Sequence, residues 1–233
     1  MTPARAVPCS APPRLRTLLR AAPDGPVPVV HRGRDAVYVD VAGQCVGVVS
    51  RRAVAVPCAL RTDAASVPDA DTAYVDDGVL HLASHGDAAA MAIGRLVEVH
   101  VPPLRSRATA PAPPPGDVRA MVGRGDGLTP YDDDVLCGWL AAHRAAGVAT
   151  PEVDTAVRAC RDRTTLLSAA LLDCAMRGEV IPEFALWLAA LGTPAEPARA
   201  DALSALGHTS GRGLLQGARL ALVHLSPTEG AAA

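Results

Sequence analysis

Between residues 102 and 116 the chain places six prolines, and the hydrophobic pattern has a different period on the two sides of that stretch. Upstream, short Val-rich runs alternate with turn residues. Residues 27–31, 36–41 and 44–49 read as strands, followed by 53–60, 79–82 and 95–101. Arg32-Gly33-Arg34-Asp35, Ala42-Gly43 and Asp76-Asp77-Gly78 are natural turns between them. A short helix is expected before them, over 15–22. Downstream, Ala- and Leu-rich segments are each closed by a glycine, so helices are expected over 130–146, 152–177, 182–191, 199–206 and 213–224. The proline stretch itself predicts a stiff, extended connector. The expected fold class is therefore α+β: a small antiparallel β-sheet or partly open barrel, then an all-α unit. The expected domains are 1–101, a linker over 102–116, and a helical domain over 117–233.

Composition narrows the chemistry. Of the 233 residues 49% are hydrophobic but only 3% aromatic, so the core must be built from Ala, Val and Leu. All 22 basic residues are Arg, against 24 acidic ones, for a formal net charge of −2. Without lysine there is no Schiff-base lysine, no Walker-type phosphate lysine and no lysine general base. The balanced charge argues against a nucleic-acid partner. No apolar run of membrane-spanning length occurs, and the Pro- and Arg-rich start does not read as a secretory signal. The six cysteines form no C-x-x-C pair and read as buried thiols. These traits, with the Ala/Arg/Pro/Gly bias, predict a cytoplasmic bacterial protein without a membrane partner.

Two loop-to-helix junctions carry the candidate chemistry. In the first, Gly123, Gly125 and Gly127 precede Thr129, expected as a helix N-cap, and Pro130, expected as the first helical residue. Asp132, Asp133 and Asp134 fill the opening turn. Consecutive helical positions lie about 100° apart, so the three cannot face one ligand. The second junction is Gly207-His208-Thr209-Ser210-Gly211-Arg212-Gly213. Helix N-termini present N–H groups and partial positive charge, which hold phosphate or carboxylate. Arg124 and Arg212 offer bidentate grips on the same anion. On form alone, the second junction serves equally as a plain helix cap, and the acidic triplet of the first also reads as a solvated helix start. A third constellation, Arg161, Thr165 and Ser168, is spaced i, i+4, i+7 on the expected long helix and so shares one face. It either lines a polar cavity or bonds back to its own carbonyls. The histidines show no metal-ligand spacing.

These residues form a pattern that resembles a known family. Gly125-Asp126-Gly127-Leu128-Thr129-Pro130, then Asp133-Asp134-Val135-Leu136 and Gly138, is similar to the Gly-Leu-Thr-Pro-Ser-Gly-Asp-Asp-Phe-Leu-x-Gly signature of the AllH-type family. Thr165 and Ser168, followed by Leu171, Ala175 and Gly178, resemble its helical middle, and Gly207-His208-Thr209-Ser210-Gly211 resembles its C-terminal element. The chain departs from the signature at Tyr131-Asp132 and at Arg212-Gly213. The resemblance implies a subunit of an oxamate carbamoyltransferase-like system, which passes a carbamoyl group between phosphate and oxamate or oxalurate. It also implies partner subunits, or else a homo-oligomer, and it selects Asp133 and Asp134 from the acidic triplet.

The leading expectation is thus a carbamoyltransferase-like enzyme subunit for a small anionic substrate: phosphate, carbamoyl phosphate or a 2-oxo carboxylate. Asp133, Asp134 and His208 are the catalytic candidates. Arg124, Gly125, Gly127, Thr129, Arg161, Thr165, Ser168, Thr209, Ser210, Gly211 and Arg212 are the substrate-binding candidates. Backbone N–H groups of the loops would stabilise an oxyanion. Two alternatives stand beside it: a non-catalytic binding or regulatory subunit, and phosphoryl transfer with Mg²⁺ on Asp133 and Asp134. No metal site or cofactor is otherwise expected.

Overall fold

Val-rich alternation in the first half has to bury one face, and a sheet curled on itself does so. The computed structural model describes residues 4–106 and 108–225; both chain ends and Arg107 of the expected linker lie outside them. Two units are present, Met1–Glu98 and Val99–Ala233.

The first unit is a nearly closed, barrel-like sheet of nine strands. In chain order these are β1 (Arg5–Ala11), β2 (Gly25–Val27), β3 (Val29–Arg32), β4 (Ala36–Val41), β5 (Gln44–Val49), β6 (Ala59–Thr62), β7 (Thr72–Asp76), β8 (Val79–Ser84) and β9 (Asp87–Leu96). They are ordered β2-β7-β8-β9-β1-β6-β5-β4-β3. Most neighbours are antiparallel, but β1–β9 and β5–β6 are parallel. Helix α1 (Pro13–Ala21) adds Leu15 and Leu19 to the cluster formed by Val7, Val39, Val46, Leu60, Leu80 and Met91. Three hairpins turn through two residues, with φ of 52° and 79° at Ala42-Gly43, 46° and 71° at Asp77-Gly78, and 51° and 88° at His85-Gly86. Such turns match the twist of the strands they join.

Three strand expectations needed correction, and two strands escaped the pattern. The run 27–31 is split at Pro28 into β2 and β3, which lie at opposite ends of the strand order. β1, which sits in the middle of the sheet, escapes a pattern reading because Pro8 interrupts it, and β7 is only five residues long. Of the run 53–60, only its end pairs, in β6. Pro57 has no N–H to give to a ladder, and Val56 N and Ala59 N close tight turns on Val54 O and Val56 O instead. The run 95–101 likewise pairs only to Leu96, with a single bridge from His100 to Glu179 beyond it.

The second unit contains α2 (Val118–Met121), α3 (Tyr131–Ala145), α4 (Pro151–Ala159), α5 (Leu166–Met176), α6 (Pro182–Ala189), α7 (Glu196–Ser204) and α8 (Ser210–Leu225). The single helix expected over 152–177 is broken. Arg161–Arg163 form one 3-10 turn, Thr164 is extended (φ −120°, ψ 176°), and the Thr165 hydroxyl caps α5 by accepting from Ser168 N at 3.0 Å. Threonine hydroxyls satisfy backbone and carboxylate partners outside a helix, and here that local choice defeats the 3.6-residue period.

α3 is the spine of this unit. It is buried along almost its whole length, and α8 lies directly against it. A side chain at Gly138 would begin 2.0 Å from Leu214 O, and one at Gly217 would begin 1.8 Å from Val135 O. Tyr131 and Asp134 face Gly213, while Val135 and Trp139 face Gly217. The two helices therefore run in the same direction, with their N-termini side by side. The proline-rich stretch follows α3: Leu104 N donates to Ala145 O at 2.7 Å, and Trp139 Nε1 donates to Pro113 O at 3.1 Å. His143 is fully buried there. Its Nε2 accepts from Ala112 N at 3.0 Å, which leaves the Nδ1 proton to bond Trp139 O at 2.7 Å. Burial lowers its pKa and keeps the ring neutral. Arg144 ties the far end together, donating to Met176 O, Val148 O, Thr150 Oγ1 and both oxygens of Asp154.

Candidate functional site

Parallel packing of α3 and α8 brings the two loop-to-helix junctions together. The contact that closes them is between the hydroxyls of Thr129 and Ser210, 2.8 Å apart. Thr129 is consequently not the N-cap of α3. Pro130 holds that position with extended backbone (φ −53°, ψ 140°), and its carbonyl accepts from Asp133 N and Asp134 N at 3.0 and 3.2 Å. α5 joins from a third direction, where the Thr165 hydroxyl donates to Leu128 O.

The three aspartates at the start of α3 have three different fates. Asp132 N donates to Arg124 O, and its carboxylate accepts from the Arg124 guanidinium, so no capping box forms. Asp133 is 0% exposed. One of its oxygens accepts from Gly123 N at 2.8 Å; the other accepts from the Thr164 hydroxyl and from Ser168 Oγ at 2.7 Å. It pins the Gly-rich loop and the start of α5 to α3. Asp134 is 4% exposed, and its Oδ2 is buried without any hydrogen-bond partner. Burial pushes its pKa up to about 7. The Ser210 and Thr129 hydroxyls pull the other way, and the Asp133 carboxylate adds to the rise. Neither hydroxyl is bonded to Oδ2.

Anions are favoured by the two adjacent helix N-termini. They are opposed by the Asp133 charge and, once it ionises, by Asp134. A carboxyl whose pKa is pushed up to about 7 in that setting can take or give a proton at working pH.

The structure thus gathers Thr129, Asp133, Asp134, Thr165, Ser168 and Ser210 into one cluster. It does not gather Arg161. That residue sits in the 3-10 turn and lines a cavity with Arg158, Asp173 and Arg177, so the i, i+4, i+7 face with Thr165 and Ser168 does not exist. Arg124 is already paired with Asp132. His208 and Arg212 are exposed at the start of α8, where the Arg212 guanidinium donates to His208 O at 2.9 Å. Thr209 is half-buried beside them, and its carbonyl accepts from Gly213 N. Gly125 (φ 125°) lies against Tyr131 N, Gly127 is exposed (φ 89°), and Gly211 packs on Leu203 O. Two further contributors were not among the binding candidates: Gly123, read only as part of the first Gly-rich loop, whose N–H holds Asp133, and Thr164, which lies one turn before Ser168 in the sequence.

Because Asp133 is bonded from three sides and shut off from solvent, its role is to hold the cluster together. Asp133→Asn would replace one accepting oxygen with an NH₂ group that faces donors. The expected loss of stability is about 2–4 kcal/mol, read by urea unfolding. A loss below about 0.5 kcal/mol would show that the three donors find water as good a partner.

Residues 121–222 match the family described as oxamate carbamoyltransferase subunit AllH. All three ordered motifs fall within that segment, and the resemblance holds over it. No solved structure matches the chain. Among the described residues, no helix is long and apolar enough to cross a membrane.

Proposed function

We propose that this chain is a subunit of a multi-subunit carbamoyltransferase and that its helical unit handles the proton in the transfer step. The family match over 121–222 supports the reaction class. The observation that carries the proton role is Asp134: a buried carboxyl with an unpartnered oxygen and a pKa of about 7, placed where two loops and two helix N-termini meet.

In the synthetic direction the amide nitrogen of oxamate attacks the carbamoyl carbon of carbamoyl phosphate. The new C–N bond forms, the C–O bond to phosphate breaks, and the nitrogen sheds a proton. Ionised Asp134 is the group proposed to accept it. In the reverse direction phosphate attacks the carbamoyl carbon of oxalurate, and the protonated form of Asp134 returns the proton to the leaving nitrogen. The Thr129 and Ser210 hydroxyls flank this position and suit the developing oxyanion. Arg212, His208 and the loop N–H groups at the exposed edge suit the carboxylate and phosphate ends. Asp133 positions this machinery and does not touch substrate. That division also weighs against Mg²⁺ bridging Asp133 and Asp134, since both Asp133 oxygens are already committed.

The test is a carbamoyl-transfer assay from carbamoyl phosphate to oxamate, with the chain alone and with its partner subunits. Activity is expected only in the complete mixture, insensitive to EDTA, and rising with pH through about 7. Ser210→Ala is expected to lower kcat roughly tenfold to a hundredfold. Unchanged kcat in Ser210→Ala, or full turnover from the partners without this chain, would reduce it to a non-catalytic subunit.

A further inference from the structure

The exclusion of Arg161 from the aspartate cluster draws attention to the cavity it does line. This is a space of about 340 Å³ between the 3-10 turn and the outer face of α5. Three arginines are among the residues that line it, Arg158, Arg161 and Arg177, with one acidic residue, Asp173. Its floor is apolar: Val157, Leu172 and Met176 are 2%, 1% and 6% exposed. The arginines come from α4, from the turn and from the end of α5, so the break after Ala159 is what assembles them. Arg177 also reaches Glu179 at 3.7 Å, a spacing that leaves its fork able to serve a second acid.

Several positive forks over a greasy floor recognise charge and carbon together. Inorganic phosphate would use only the rim. A volume near the lower end of small-molecule pockets suits a small ligand. We propose that this cavity binds a small organic dianion, a dicarboxylate with a short carbon chain. The carboxylates lie on the arginine forks and the carbons on Val157, Leu172 and Met176. The site is separate from the aspartate cluster and does not rest on the transferase reading. α5 nevertheless touches both, since Ser168 holds Asp133 from the same helix whose Ala169, Leu172 and Asp173 line the cavity.

Isothermal titration of the full chain with succinate, inorganic phosphate and neutral succinamide tests this. Succinate is expected to bind, phosphate at least about tenfold more weakly, and succinamide not at all. Arg158→Gln and Arg177→Gln, both at exposed positions that leave the core intact, are each expected to weaken succinate about tenfold. Arg124→Gln with Arg212→Gln is expected to leave its affinity unchanged. The proposal falls if succinate gives no binding heat up to about 10 mM. It falls equally if phosphate binds as tightly, or if the loss appears in the Arg124/Arg212 variant and not in the cavity variants.

Discussion

Asp134→Asn will flatten the pH dependence of this protein's stability between pH 5 and pH 8 and remove the transfer activity proposed for it. The carboxyl titrates near 3.9 in an unfolded chain and at about 7 in the folded one. Between those values the folded state keeps a proton that the unfolded state has released. The stabilisation is therefore complete below about pH 4 and disappears as the pH rises through 7. From pH 5 to pH 8 the wild-type protein loses on the order of 3 kcal/mol from this group alone. Asparagine has the shape of the neutral acid and does not titrate. The variant should nearly match the wild type in acid and exceed it by a few kcal/mol at pH 8, in urea melts run side by side. Parallel curves for the two proteins would mean that Asp134 ionises like an exposed carboxyl. Turnover is expected to fall about 10²–10⁴-fold, the range that a positioned proton acceptor supplies. The two readouts separate cleanly. A flattened stability profile with undiminished turnover would keep the buried acid and discard its catalytic role.

Much of this arrangement was legible in the sequence, because it is local. The alternating valines of β4 and β5, the Ala42-Gly43 turn and the glycines that close the helices act within a few residues of themselves. The convergence of the two loops was legible only through motif resemblance, since nothing in residues 123–134 specifies contact with residues 207–213. What was lost has physical causes of one kind. Asp133 and Asp134 are chemically identical neighbours, and only burial against Gly123, Thr164 and Ser168 commits one of them to structure. Thr164 and Thr165 look like helix interior until their hydroxyls find Asp133 and Leu128. Arg124 and Arg161 are long, charged and plausible as anion ligands. The fold gives one to Asp132 and turns the other to a separate cavity.

A glycine near a charged loop invites a ligand-binding reading, but glycines along α8 also serve the packing of that helix on α3. Gly217, one turn beyond Gly213, is the clearest case. A methyl group there would sit 1.8 Å from Val135 O, 2.7 Å from the same carbonyl carbon and 3.0 Å from Trp139 N. All three are backbone atoms of the buried helix α3, so no rotamer change relieves the clash and the helices must separate. Gly217→Ala is expected to cost more than about 3 kcal/mol, at the severe end of overpacking. Both tryptophans of the chain, Trp139 and Trp187, lie fully buried in the helical unit, so their fluorescence reports its unfolding. The expected result is a midpoint lowered by about 10 °C or more, or a red-shifted spectrum already at 25 °C. Gly94→Ala is the comparison: nothing lies within 4 Å of its added carbon, and its effect should stay within about 0.5 kcal/mol. Since α3 and α8 are also what bring Thr129 to Ser210, any Gly217→Ala protein that does fold should lose the close burial of Asp134. The pH profile of its stability would then shift toward that of an ordinary carboxyl. A variant with wild-type fluorescence and a wild-type pH profile would show that the two helices do not need their close approach.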